Sequence, residues 1–197
     1  MKVAVCVDDF GLKPQVNEAV ARLVDAGVVS TVGCMSTGGA WSAGAGLLKG
    51  ARRDRLDIGL HLNLTDPMPH GKDDLVMPLP DLMLRSLMHR LPAAQLTHTI
   101  EHQLAGFVSV MGEWPDFIDG HQHVHQMPQV RQALMAVIDR HRQAQGGRWN
   151  PWLRCTLGSR VGAPLAFKHR VIEFMGAGGL LHMARARRLM TNRSLLG

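Results

Sequence analysis

The sequence predicts an α/β protein whose parallel sheet curves toward a barrel. Short apolar runs rich in β-branched residues alternate with helical patterns, helices open at prolines and close at glycines, and the chemically active residues fall where the apolar runs end. Right-handed crossovers between parallel strands carry such a sheet toward closure. An eight-unit barrel takes roughly 250 residues, so a chain of 197 supplies five or six units. With 46% hydrophobic and 19% charged residues it can bury one sizeable core. No repeat, low-complexity tract or linker divides it, and a single domain over residues 1–197 is expected.

Lys2 to Val7 is a β-branched run ending in two carboxylates, Asp8 and Asp9. Pro14 then opens a helix whose apolar face is Val16, Ala19, Val20, Leu23 and Val24, stopped by Gly27. Val28 to Met35 reads as a second strand, Ala40 to Gly50 as a helix, and Leu56 to Thr65 as a third strand. Asp66 to Pro80 carries Pro67, Pro69, Pro78 and Pro80, which resists regular structure and suits a loop over a site. Pro92 begins a long helix through Ile100, Leu104, Phe107 and Val108. Asp116 to Gly120 is a strand end, Pro128 starts a helix through Val130, Leu134, Val137 and Ile138, and Trp152 to Thr156 is a fifth strand. Beyond Pro164 the pattern is helical, interrupted by Gly176, Gly178 and Gly179.

The net charge of +6 is a C-terminal property, since residues 140–197 hold 11 Lys and Arg against Glu173 alone. Arg185, Arg187, Arg188 and Arg193 read as a solvated helix face, and no nucleic-acid partner is expected. Cys6, Cys34 and Cys155 are odd in number and each sits in an apolar stretch, so they read as buried small side chains rather than a disulfide framework or metal clip. No apolar run approaches a membrane span or signal peptide, and a soluble, cytoplasmic protein is expected.

In parallel α/β architectures reactive side chains gather at the carboxyl ends of strands. Three predicted strand ends carry metal-ligand residue types: Asp8-Asp9, Gly59-Leu60-His61-Leu62-Asn63, and Asp119-Gly120-His121-Gln122-His123-Val124-His125. Alternate side chains of a strand take opposite faces, so one of Asp8 and Asp9 can bind a cation while the other faces substrate, the alternative being a pair that caps the next helix or starts a turn. His61 lies on the polar strip Gly59, His61, Asn63 and Thr65 of its strand. If extended, the third segment puts His121, His123 and His125 on one side, where unpaired buried ring nitrogens are costly unless one or two ligate a metal. His98 and His102 lie nearby in sequence. One Asp and two His with open positions form a site for a divalent cation that activates water, and the chemistry expected is hydrolysis.

The motifs Val-Asp-Asp-Phe-Gly-Leu, Gly-Leu-His-Leu-Asn-Leu-Thr and Asp-Gly-His-Gln-His-Val-His-Gln-Met-Pro resemble those of the YdjC-like carbohydrate deacetylases, including the hopanoid-associated HpnK branch. The resemblance covers residues 2 to 140. It implies a distorted (β/α) barrel of the polysaccharide-deacetylase type, incomplete at the C-terminus. It also implies a hydrolase that removes acetyl groups from N-acetylated sugars or glycolipids using a divalent ion, Mg²⁺ foremost, with Zn²⁺, Mn²⁺ or Ni²⁺ as alternatives. Carried over, Asp9, His61 and His121 become the metal ligands, Asp8 the general base and His125 a further active-site histidine. Family members are usually longer and end in a His-Pro segment that supplies a candidate acid. No His-Pro occurs here. Either the chain is a truncated member, or His125 or another group supplies the acid, and residues after about 150 are expected to pack against a further segment from a longer chain or a partner subunit. A metal phosphoesterase and a non-catalytic binder of sugar or polyanion are the alternatives.

Overall fold

A computed structural model describes residues 3–50, 54–68, 71–158, 176–192 and 194. Five parallel strands lie side by side in chain order: β1 (Cys6–Phe10), β2 (Thr31–Cys34), β3 (Asp57–Leu62), β4 (Phe117–Gly120) and β5 (Trp152–Leu153). Helix α1 (Pro14–Asp25) joins β1 to β2, and the turns α2 (Trp41–Gly44) and α3 (Gly46–Lys49) lead to β3. Helices α4 (Leu79–Leu87) and α5 (Ala93–Met111) precede β4, α6 (Pro128–Ala144) precedes β5, and α7 (Gly178–Ala186) follows it. This is the α/β parallel architecture expected, and among the described residues the sheet does not close into a barrel.

The core forms because β3 is buried along both faces, with Ile58, Leu60 and Leu62 on one and Gly59 and His61 on the other, as in central parallel strands. Leu96, Ile100, Leu104 and Phe107 of α5 and Val130, Leu134, Val137 and Ile138 of α6 supply the buried helical side chains. Trp41 stacks on Phe107 with ring centroids 5.5 Å apart and donates its indole N–H to the carbonyl of Gly106. Beyond α7, Leu153 bridges Thr191 in parallel and its N–H donates to the carbonyl of Met190. The chain thus returns to the sheet beside β5.

Several elements differ from expectation. The helix read over Ala40 to Gly50 is two four-residue turns. The first is anchored where Asn17 bonds the carbonyl of Ala40. The buried face of α1 runs through Asn17 and Val20, leaving Ala19 and Leu23 exposed, because Asn17 turns inward to pin two loops. Pro80 opens α4 rather than extending the loop. Strand β5 stops at Leu153, since the backbone of Cys155 is paired instead with the side chain of Asn192. Of the cysteines, Cys34 and Cys155 are buried and Cys6 is half-buried. Residues 165–175 of the helix read beyond Pro164 lie outside the described residues.

Gly59 faces the Phe117 ring of β4, itself stacked on Trp152 at 4.5 Å, and a methyl at Gly59 would strike that ring. We expect Gly59→Ala to lower stability in urea denaturation by about 1–3 kcal/mol through overpacking. Gly46→Ala, which meets nothing within 4 Å, should be neutral or stabilising by up to about 1 kcal/mol.

Candidate metal centre

Strand β1 does not run straight to its end. Its pairing with β2 skips between Val7 and Phe10, and Asp9 adopts a left-handed backbone with φ of 64°. The bulge turns Asp9 toward β3 and β4 while Asp8 keeps the strand direction. Asn17 holds the following turn, accepting from the N–H of Gly11 at 2.7 Å and donating to Ala40 at 2.9 Å. Past β3, Gln103 brackets Asn63 through its backbone N–H and carbonyl.

The histidine motif is not extended. After Gly120 the chain enters a 3₁₀ turn over His121–Gln126, in which Gln122 and His123 are left-handed with φ of 51° and 61°. The three imidazoles are therefore dispersed, correcting the expectation that they share one side. His121 points to Asp9, with Nδ1 3.1 Å from Oδ1. His125 is fully buried behind the site, its Nε2 donating to the carbonyl of Arg154 at 2.7 Å. His123 is mostly covered. His98 and His102 stay on α5, where His102 meets Asp74 at 2.8 Å and steadies the long loop, away from the cluster.

Asp9, His61 and His121 offer ligand atoms that all lie within 4.8 Å of one another. His61 Nε2 approaches Asp9 Oδ1 at 3.4 Å, and its Nδ1 donates to Asp119 Oδ1 at 2.7 Å. Two residues not singled out from the sequence complete the cluster. Asp119, wholly buried, also meets the Nε of Arg154 at 3.0 Å, and Arg154 grips both oxygens of Asp8 at 2.8 and 2.7 Å. Gly33 of β2 leaves room for this, since a methyl there would crowd His61 and Asp8.

The electrostatics follow from these contacts. Hydrogen bonds from His121 and His61 hold the Asp9 carboxyl well below the usual carboxylate range. Burial opposes charge on His61, but Asp119 and Asp9 outweigh it and push the imidazole up to about 10. Burial likewise opposes ionisation of Asp119, yet His61 and Arg154 hold it low. Three carboxylates against the Arg154 guanidinium and the His61 imidazolium leave an acidic excess, and with a carboxylate and two imidazoles as donors the cluster fits a divalent cation.

Residues 2–196 match the family model described as YdjC-like protein. The chain belongs to the YdjC-like family. Relatives include a Mus musculus "Carbohydrate deacetylase", 32% identical over 76% of this chain and 49% of its own length. A Serratia marcescens "Chitooligosaccharide deacetylase" is 33% identical over 72% of this chain and 56% of its own. The chain thus spans about half the length of the curated relatives it matches. An Enterococcus faecalis V583 crystal structure, of a protein to which cellobiose-phosphate cleavage is ascribed, superposes with a TM-score of 0.65 at 16% identity. It covers 98% of this chain and 67% of that one, and shares the fold of this YdjC-like chain. No described helix is long and apolar enough to cross a membrane.

Burial pushes His125 down to about 4, so it folds neutral. Because the folded value lies below the ordinary 6.5, its contribution is complete above about pH 6.5 and is lost as pH falls toward 4. We expect wild-type stability in urea to drop more steeply than that of His125→Gln across this window; parallel curves would contradict a neutral, buried His125.

Proposed function

We propose that this chain carries the catalytic centre of a divalent-metal-dependent hydrolase that removes the acetyl group from an N-acetylated sugar or sugar-containing lipid. The observation that carries the reading is the convergence of Asp9, His61 and His121 beside the arginine-clamped Asp8. The names of the relatives supply the substrate class. Asp9, His61 and His121 would hold the cation, which when bound supplies Lewis acidity toward an acetyl carbonyl and toward water.

The remaining steps belong to the chain's own residues. The side chain of Asp8 is 36% exposed, so it reaches solvent while Arg154 fixes both its oxygens. Its carboxylate takes a proton from the attacking water. Asp8 then returns the proton to the departing amine as the tetrahedral intermediate collapses. That cycle makes a separate acid unnecessary. His125 serves by fixing the Arg154 carbonyl from behind.

Acetate release from chitooligosaccharides, measured after chelation and after restoring Mg²⁺, Mn²⁺, Zn²⁺ or Ni²⁺, tests the reading. Alanine at Asp9, His61 or His121 should abolish both cation binding and turnover. Asp8→Asn should keep the cation and lose about 10²–10⁴ in rate, the usual contribution of a positioned base. Equal loss of cation in all four variants would merge the roles of Asp8 and Asp9, and turnover of p-nitrophenyl phosphate alone would point to a phosphoesterase.

A further inference from the structure

An imidazole holds a cation through one nitrogen only if the proton is kept on the other, and the buried surroundings of His61 bear on that choice. His61 of β3 is in register with Asp119 of β4, which sets the two side chains against each other. An ionised carboxylate only accepts hydrogen bonds, so the 2.7 Å contact places the proton on Nδ1 of His61. Nε2, the atom facing Asp9, is the nitrogen left to bind. The second oxygen of Asp119 meets Arg154 at 3.0 Å, and Arg154 in turn holds Asp8. Nothing about Asp119 touches solvent, and its carboxylate lies behind His61 rather than in the cluster of three ligand atoms. Among the described residues, His121 has no second carboxylate behind it.

We propose that Asp119 is a positioning residue for the cation, fixing His61 in the Nδ1–H tautomer through one oxygen and seating Arg154 against Asp8 through the other. This deepens the function proposed above and rests on it. One buried carboxylate then links the ligand geometry to the orientation of the base. Weakening Asp119 acts on cation affinity and turnover together, whereas weakening Arg154 acts on turnover.

The test uses the full chain in two measurements. Long-range ¹H–¹⁵N spectra of the Zn²⁺-loaded wild type, with ¹⁵N-labelled histidine, should show His61 protonated at Nδ1 and bound through Nε2. Binding of His61 through Nδ1 would overturn the inference without any variant being made. Titration of Co²⁺ should then show Asp119→Asn binding 10- to 100-fold more weakly, the usual effect of removing such a partner, with an altered visible spectrum. Arg154→Lys should keep the wild-type affinity and spectrum. Thermal melts establish that each variant is folded, and if Asp119→Asn is not, the wild-type spectra decide alone. Unchanged Co²⁺ affinity and spectrum in folded Asp119→Asn would overturn the positioning role while leaving the metal centre standing. If Co²⁺ and Zn²⁺ bind wild type and Asp9→Ala equally, the metal centre itself fails, and the role of Asp119 with it.

Discussion

A guanidinium that is almost out of contact with water sets the arrangement at the carboxyl ends of the strands. Arg154, 7% exposed, lies just past β5 and meets Asp8 from β1 and Asp119 from β4. Its backbone is held as well, with its N–H on Ile118 and its carbonyl on His125. A charge so placed is tolerable only because it is paired, and removing one partner of such a pair typically costs about 3–5 kcal/mol. The orientation of Asp8 follows from seating that side chain, and His125 is held by the main-chain carbonyl of the same residue.

The second constraint lies in the backbone. Of five non-glycine residues with positive φ among those described, three are Asp9, Gln122 and His123, within or beside the two motifs that carry Asp9 and His121. Each costs of order 1–2 kcal/mol for an L-residue, and local hydrogen bonding has to hold it in place. Around Asp9 that support comes from Asn17 and the bulge, and past Gly120 it comes from the seating of His125 under Arg154. Regular strands would have carried both Asp9 and His121 along other directions. The strain is thus what turns two ends of a parallel sheet toward a common point.

Periodicity and punctuation made the order of strands and helices legible, as did the placement of Asp9, His61 and His121 at separate strand ends. Three things were not legible, for physical reasons. Left-handed backbone is uncommon at any non-glycine residue and leaves no pattern in the sequence, so at Asp9, Gln122 and His123 it went unread and alternation wrongly suggested an extended histidine segment. Arg154 is one arginine in a basic C-terminal stretch, and only the register of β4 with β5 reveals that it is buried. Asp119 stood inside the motif but resembled a strand-end carboxylate like many others. Its meaning depends on pairing with His61, a contact between residues 58 positions apart.

Every strand of the sheet contributes to the cluster. Asp8 and Asp9 come from β1, His61 from β3, Asp119 and His121 from β4 and its turn, and Arg154 from just beyond β5. The pairing of β3 with β4 aligns His61 with Asp119, and that of β4 with β5 brings Arg154 alongside. Strand β2 contributes space instead, because Gly33 keeps a side chain out of the region shared by His61 and Asp8. Neighbouring strands align His61, Asp119 and Arg154, whereas Asp8 and Asp9 of β1 reach them from beyond β2. What a parallel sheet cannot do by register alone is carry Asp8 across to β5. Curvature of the sheet makes that connection, because four strand spacings of about 4.8 Å exceed the reach of an arginine, and Arg154 nevertheless meets Asp8 at 2.8 and 2.7 Å.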